Sequence, residues 1–95
     1  MIKVTATLVI PTETKDDAMV VIEELVATTV LEDGCINYNF CQETVGVDAY
    51  AILETWESKE ALDAHMKTEH FTRLVPQLSA LAKGDIVLSV YEVLL

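Results

Sequence analysis

Two stretches of this chain are apolar on both sides of an extended backbone, and that pattern narrows the folds open to it more than any other feature. Successive side chains of a strand point to opposite faces of a sheet. Over residues 2–10, Val4, Ala6 and Leu8 fall on one side and Thr5, Thr7 and Val9 on the other, while residues 86–93 are apolar on both. A sheet with one solvated face alternates apolar and polar residues instead. Both faces of this sheet therefore need cover. Helices of the same chain can cover one, and the sheet of a second copy is the natural cover for the other, so a homodimer is expected. At 95 residues, just over half of them hydrophobic, the chain reads as a single domain, residues 1–95, of a size that gains stability by such pairing.

Turn and cap residues divide the rest. Pro11, which has no amide hydrogen, suits the end of the first strand. Behind Thr14 and the acids Asp16 and Asp17, the residues Ala18, Val21, Ile22, Leu25 and Thr29 recur at helical spacing, which predicts a first helix over residues 15–31. Gly34 follows as the residue that takes a left-handed conformation at little cost. Residues 35–42 and 49–56 read as a hairpin around a loop containing Gly46 and Asp48. Ser58 stands where an N-cap belongs, with Glu60 in the first turn, so a second helix starts there. Phe71, Leu74, Val75, Leu78, Leu81 and Ala82 share one stripe of a further helical segment, in which Pro76 marks a break or a new first turn. Gly84 and Asp85 end it, and residues 86–93 form the last strand. The order is βαββαβ with a divided second helix, the α+β ferredoxin-like split pattern with an antiparallel sheet.

Charge and cysteine usage remove several classes of function. A formal charge of −10 with only six Lys and Arg disfavours partners held by phosphate neutralisation, so no nucleic acid is expected. The acids gather at residues 13–17, at Glu23 and Glu24, and at Glu32 and Asp33, the usual places of helix ends and solvated faces. No apolar run reaches the roughly 18 residues of a membrane span, and the start lacks a basic region followed by an apolar core, so the expected address is the cytoplasm with no membrane partner. Cys35 and Cys41 lie six residues apart on one strand, about 20 Å at the rise of a strand, and so cannot bridge each other. They read as buried thiols of a reduced compartment. No phosphate-binding glycine loop and no nucleophile-elbow motif is present, which leaves nucleotide cofactors and serine hydrolysis without a foothold.

The chemistry-bearing residues concentrate in residues 54–71, where a strand passes directly into a helix. By alternation Tyr50, Ile52, Glu54 and Trp56 share one face and Ala51, Leu53 and Thr55 the other. Glu54 is an acid in mid-strand, where burial raises the pKa of a carboxyl group unless it is paired. Its structural partner would be Lys59 or a backbone amide; its functional role would be to orient His65 or hold a substrate hydroxyl. Trp56 suits an interface or core anchor and equally a stacking wall for a planar substrate. His65 lies on the face of Ala61, Leu62 and Met66 and so points inward. There it is either a core histidine bonded to a backbone carbonyl or a general base able to take a phenolic proton near neutral pH. His70 and Phe71 form the lip of the next helix, His70 on its exposed side. Asn37 and Tyr38 face opposite ways, and Tyr38 is the expected pocket residue. Counted along one helix, His65 and His70 are roughly 140° apart, whereas ligand pairs use a spacing of three or four, so no metal is expected.

Three segments in this order, Glu32-Asp33-Gly34-Cys35-Ile36-Asn37-Tyr38, then Glu54-Thr55-Trp56-Glu57-Ser58-Lys59-Glu60-Ala61, then His65 through His70-Phe71, resemble the antibiotic biosynthesis monooxygenase family over nearly the whole chain. The resemblance implies a dimeric α+β barrel with a pocket in each subunit between sheet and helices. It favours catalytic roles for His65 and Glu54 and substrate contacts from Trp56, Tyr38, His70 and Phe71. The function it implies is a cofactor-independent monooxygenase that oxidises a hydroquinone-like or polycyclic phenol with O2. An electron-rich phenolate can itself give an electron to O2, so the protein need only bind it in a dry pocket, remove its proton and orient the adduct. The family's haem-degrading branch uses an Asn on strand 1, a Trp on helix 2 and a His on the next helix, where this chain places Thr7, His65 and Val75. A branch that processes the phosphorylated autoinducer-2 signal as an isomerase also resembles this chain at Glu54, His65, His70 and Phe71. Against it stand the few cationic residues and Leu25 where a basic side chain is expected. That isomerase type and a non-catalytic dimeric ligand-binding protein are the alternatives.

Overall fold

In the computed structural model, which describes residues 1–95, the β-branched first segment forms β1 (Ile2–Val9), an inner strand of a four-stranded sheet. A 3₁₀ turn (Thr12–Thr14) leads to α1 (Lys15–Thr29), followed by β2 (Cys35–Gln42), β3 (Ala49–Trp56), α2 (Lys59–His65), α3 (Glu69–Leu81) and β4 (Lys83–Glu92). The strand order is β2-β3-β1-β4 and every pairing is antiparallel. This is the α+β ferredoxin-like arrangement that the βαββαβ order predicts.

Cross-strand partners share a face, so the pairs Val4↔Glu54, Ala6↔Ile52 and Leu8↔Tyr50 put one row of side chains on the same side. That row is buried, and it joins Ala18, Val21, Ile22 and Leu25 of α1 and Leu74 and Leu78 of α3 in one core. The opposite face is open. There Leu53, Val87 and Tyr91 remain 42, 58 and 54 % exposed, so Val87 and Tyr91 of the two-sided last strand are left uncovered by the chain's own helices, with Leu53 of β3 on the same face. No helix is long and apolar enough to cross a membrane.

Three boundaries differ from the sequence expectation, each for a local reason. The first helix stops at Thr29, because the amides of Leu31 and Glu32 bond to carbonyls three residues back and tighten the chain into a turn. Pro76 does not break the helical stripe: α3 runs through it. The bond it cannot donate would have gone to the Thr72 carbonyl, and both residues are exposed, where water can replace it. The last strand starts at Lys83, not at residue 86. Thr7 pairs with Val87 and Val9 with Lys83, a bulge in which Gly84 adopts φ +74 inside the strand. Cys35 and Cys41 are unpaired as expected, but half-buried instead of buried.

Gly34 holds the turn between α1 and β2 at φ +84, and a Cβ there would lie 2.5 Å from the Cβ of Ala61 in α2. Around Gly84 there is nothing within 4 Å of the corresponding position. Gly84→Ala should therefore cost only the left-handed penalty, roughly 1–2 kcal/mol. Gly34→Ala should cost about 1–3 kcal/mol more, because the short, rigid Ala61 must also give way. Denaturant unfolding of the two variants checks this, and equal losses would show that the turn does not press on α2.

Candidate functional site

A cavity of about 200 Å³ opens between the sheet and α3. Ala6, Ile52 and Glu54 form its floor, Leu25 and Tyr38 one side, Phe71, Val75 and Leu78 of α3 the roof, and Ile86 and Leu88 of β4 the rim. Strand alternation places them: Tyr38, Glu54 and Val4 stand opposite one another on three adjacent strands, all directed to the helix side. Glu54 is the only charged residue in the lining.

The Glu54 carboxylate is buried, and its Oε1 accepts the indole N–H of Trp56 at 2.9 Å. Neither Lys59 nor a backbone amide is its partner, and it does not orient His65. Burial raises its pKa above the ordinary carboxylate value, the Trp56 bond opposes that rise, and the nearby negative charge of Glu32 adds to it. Trp56 is fully buried behind the cavity, an anchor that spends its polar atom on Glu54. Tyr38 is buried as the alternation predicts, and burial, followed by the charges of Glu54, Cys35 and Glu32, holds its phenol well above the usual range. It therefore stays protonated, the one hydroxyl-bearing residue in the cavity lining.

The two histidines are brought together by a capped break between short helices. Ser58 caps α2 as expected, its Oγ accepting the Ala61 amide at 3.2 Å. Thr68 then starts α3, its Oγ1 accepting the Phe71 amide at 3.3 Å and donating to the His65 carbonyl at 2.7 Å. His65 closes α2 and His70 lies in the first turn of α3, so the angular count along one helix does not apply to them. Both rings turn to Glu32 in the turn after α1: its Oε2 lies 2.6 Å from His65 Nδ1 and 2.7 Å from His70 Nε2. Two readings of the sequence are corrected here. Glu32 is not a solvated helix-end acid, its side chain being 15 % exposed, and His70, at 12 %, is not on the exposed side.

His65 is 1 % exposed and packs against Trp56 at 4.6 Å, Phe71 at 4.9 Å and Tyr38 at 5.6 Å between ring centroids. Burial lowers its pKa and outweighs the bond and charge of Glu32, so near neutral pH it is an uncharged imidazole whose Nδ1–H donates to Glu32. It does not line the cavity. Two of its ring neighbours, Tyr38 and Phe71, do. Of the six residues that the sequence singled out, Glu54, Tyr38 and Phe71 thus meet at the cavity, while Trp56, His65 and His70 stand behind its wall. Glu32 was missed as a site residue, since nothing local in the sequence marks it: its turn is brought to α2 by the close approach of Gly34 to Ala61, a contact between distant parts of the chain.

The raised pKa of Glu54 has a definite consequence for stability. Below the ordinary value of 4.5 both the folded and unfolded chain hold its proton. Above it the unfolded chain releases the proton more readily, so Glu54's contribution is full in acid and is lost as pH rises through its raised folded value. Glu54→Gln keeps an acceptor for Trp56 and removes this penalty. Its Tm should exceed that of the parent at pH 7, with the advantage gone near pH 4. A difference that does not change with pH contradicts the buried-carboxylate assignment.

Comparison with known proteins places this geometry among relatives. The model of the antibiotic biosynthesis monooxygenase family matches residues 1–77. A crystal structure of an antibiotic biosynthesis monooxygenase matches with a TM-score of 0.91 and 33% identity, over 99% of each chain. A conserved protein from Methanosarcina mazei Go1 matches with a TM-score of 0.92 and 29% identity, over 95% of this chain and 89% of the other. The uncharacterized protein sll1783 of Synechocystis sp. is 23% identical over 79 residues, a match that takes in 83% of this chain but 54% of that protein's length.

Proposed function

This chain belongs to the antibiotic biosynthesis monooxygenase family, and we propose that it oxygenates a one-ring, hydroquinone-like phenol with O2 in the cavity above Glu54, without a cofactor. The observation that carries this reading is the placement of one buried carboxyl group of raised pKa, Glu54, as the sole charged residue in an otherwise apolar cavity that Tyr38 also lines. A carboxylate with a raised pKa is a stronger base than one in water, and it lies where a phenolic hydroxyl can reach it. Glu54 takes the phenolic proton. The phenolate gives an electron to O2, the resulting radicals combine at the carbon beside the oxygen to form a C–O bond, and the O–O bond then breaks. The ring carbon that carries the peroxide loses its hydrogen as a proton, and the C–H electron pair forms its C=O bond as O–O breaks. One oxygen atom thus stays on the ring as a hydroxyquinone and the other leaves as water, with that proton and the one that Glu54 returns. The substrate supplies the electrons.

Size narrows the substrate. An apolar cavity of roughly 150 Å³ accepts benzene, so about 200 Å³ takes one substituted ring. A polycyclic phenol would need the rim at Leu88, itself 51 % exposed, to open. The isomerase alternative is weakened because no cation lines the cavity to hold a phosphate group, and Leu25 is fully buried in its wall. His65, held by Glu32, acts in this scheme as a positioning residue that supports the Tyr38 and Phe71 walls.

Oxygen-electrode assay with hydroquinones tests the reading: uptake of one O2 per hydroxyquinone formed is expected, falling by roughly 10² to 10⁴ in Glu54→Gln. Saturable binding without O2 uptake would make the chain a ligand-binding protein, and product formed without O2 would make it an isomerase. The uncovered row of Leu53, Val87 and Tyr91 supports a homodimer through the open sheet face, with the free thiols of Cys35 and Cys41 suiting a cytoplasmic setting. Light scattering should return twice the 10.5 kDa chain mass at micromolar concentration, and a monomer would refute the pairing.

A further inference from the structure

We propose that Glu32, His65 and His70 form a binding site for a divalent transition-metal ion of the zinc or cobalt type, beside the cavity and not within it. The three side chains come from the turn after α1, the end of α2 and the start of α3, and one donor atom from each lies within 4.8 Å of the others. The two ring nitrogens converge on one point, now held by a single carboxylate oxygen, while the other oxygen of Glu32 makes no hydrogen bond. A hydrogen-bonded clip would gain by using both oxygens. Convergence of two imidazoles and a carboxylate on one point is the arrangement that borderline divalent ions require.

The fit needs only a small change. Bonds of about 2.0–2.2 Å to a tetrahedral ion set its ligand atoms roughly 3.3 Å apart, so the Glu32 oxygen must draw back by well under 1 Å from its 2.6 and 2.7 Å contacts and the two ring nitrogens, within 4.8 Å of each other, must close to that spacing. Glu32 can do this because its side chain has several torsions and reaches the surface. His70 and Glu32, at 12 and 15 % exposure, leave an entry path and a position for water, while His65 anchors the inner side. The acidic balance of the chain raises the local concentration of cations. The ion would clamp the α2–α3 break to the turn at Gly34, and through His65 it would touch the aromatic group behind the cavity. None of its ligands lines the cavity, so ion binding can be measured without substrate, and only His65 ties it to the cavity walls.

Trp56 provides the readout. It is the only tryptophan in the chain, and its ring lies 4.6 Å from that of His65. Chelator-stripped protein titrated with Co2+ in the absence of substrate should show saturable quenching of Trp56 fluorescence, visible absorption of a four-coordinate type, and one ion per chain. Zn2+ should displace the Co2+ and raise Tm by mass action. His70→Ala and Glu32→Gln each remove a ligand near the surface, and both should weaken binding by more than the roughly 10- to 100-fold that loss of an outer partner costs. Absence of saturable binding up to millimolar Co2+ and Zn2+ overturns the proposal. So does unchanged affinity in whichever of the two variants folds; should neither fold, the parent titration alone decides.

Discussion

Glu54 points inward because β3 is held between β1 and β2 in a register that sets it opposite Val4 on one side and Tyr38 on the other. Much else at the site follows from that register. A slip of one residue would carry Glu54 and Trp56 to the open face and bring Leu53 and Thr55 to the helices. With the register in place, Trp56 bonds to Glu54, the ring of His65 packs on Trp56, and Glu32 bonds to His65. The carboxylate in the sheet and the turn after α1 are linked through aromatic rings across the core.

The cost of this arrangement lies in the carboxyl group itself. A buried carboxylate with one hydrogen bond is poorly compensated, and the protein responds by raising its pKa. For stability alone an apolar residue would serve better at this position. For the proposed proton transfer the same tension is useful, because it makes the carboxylate a stronger base than one in water, in a cavity whose other lining residues are apolar apart from Tyr38.

The sequence made the architecture legible where patterns are local. Alternation in β1 and β3, the Ser58 cap and the glycine after α1 each act within a few residues, and they led to the ferredoxin-like order, to one shared face for Glu54 and Trp56, and to Tyr38 in place of Asn37 at the cavity. The bulge at Gly84 was hidden because the same glycine reads equally well as a helix stop; only pairing with β1 decides. The Glu32 cluster was hidden for a different reason. Its members are 33 and 38 residues apart along the chain, and the angular test on His65 and His70 assumed one helix where Thr68 starts a second. The acid of residue 32 carries no local sign of burial, since the packing that shields it comes from helices later in the chain.

In the proposed reaction a phenolic ring is bound and deprotonated in the cavity over Glu54. A crystal structure of the protein with hydroquinone, prepared without oxygen, tests it most directly. The expected electron density is a ring enclosed by Tyr38, Phe71 and Leu88, with one hydroxyl at hydrogen-bond distance from the Glu54 oxygen that Trp56 leaves free. A ring seated instead on the open sheet face beside Lys3 and Asn37, or in the groove between α1 and β2 at Met19 and Phe40, with Glu54 still bonded only to Trp56, would contradict it.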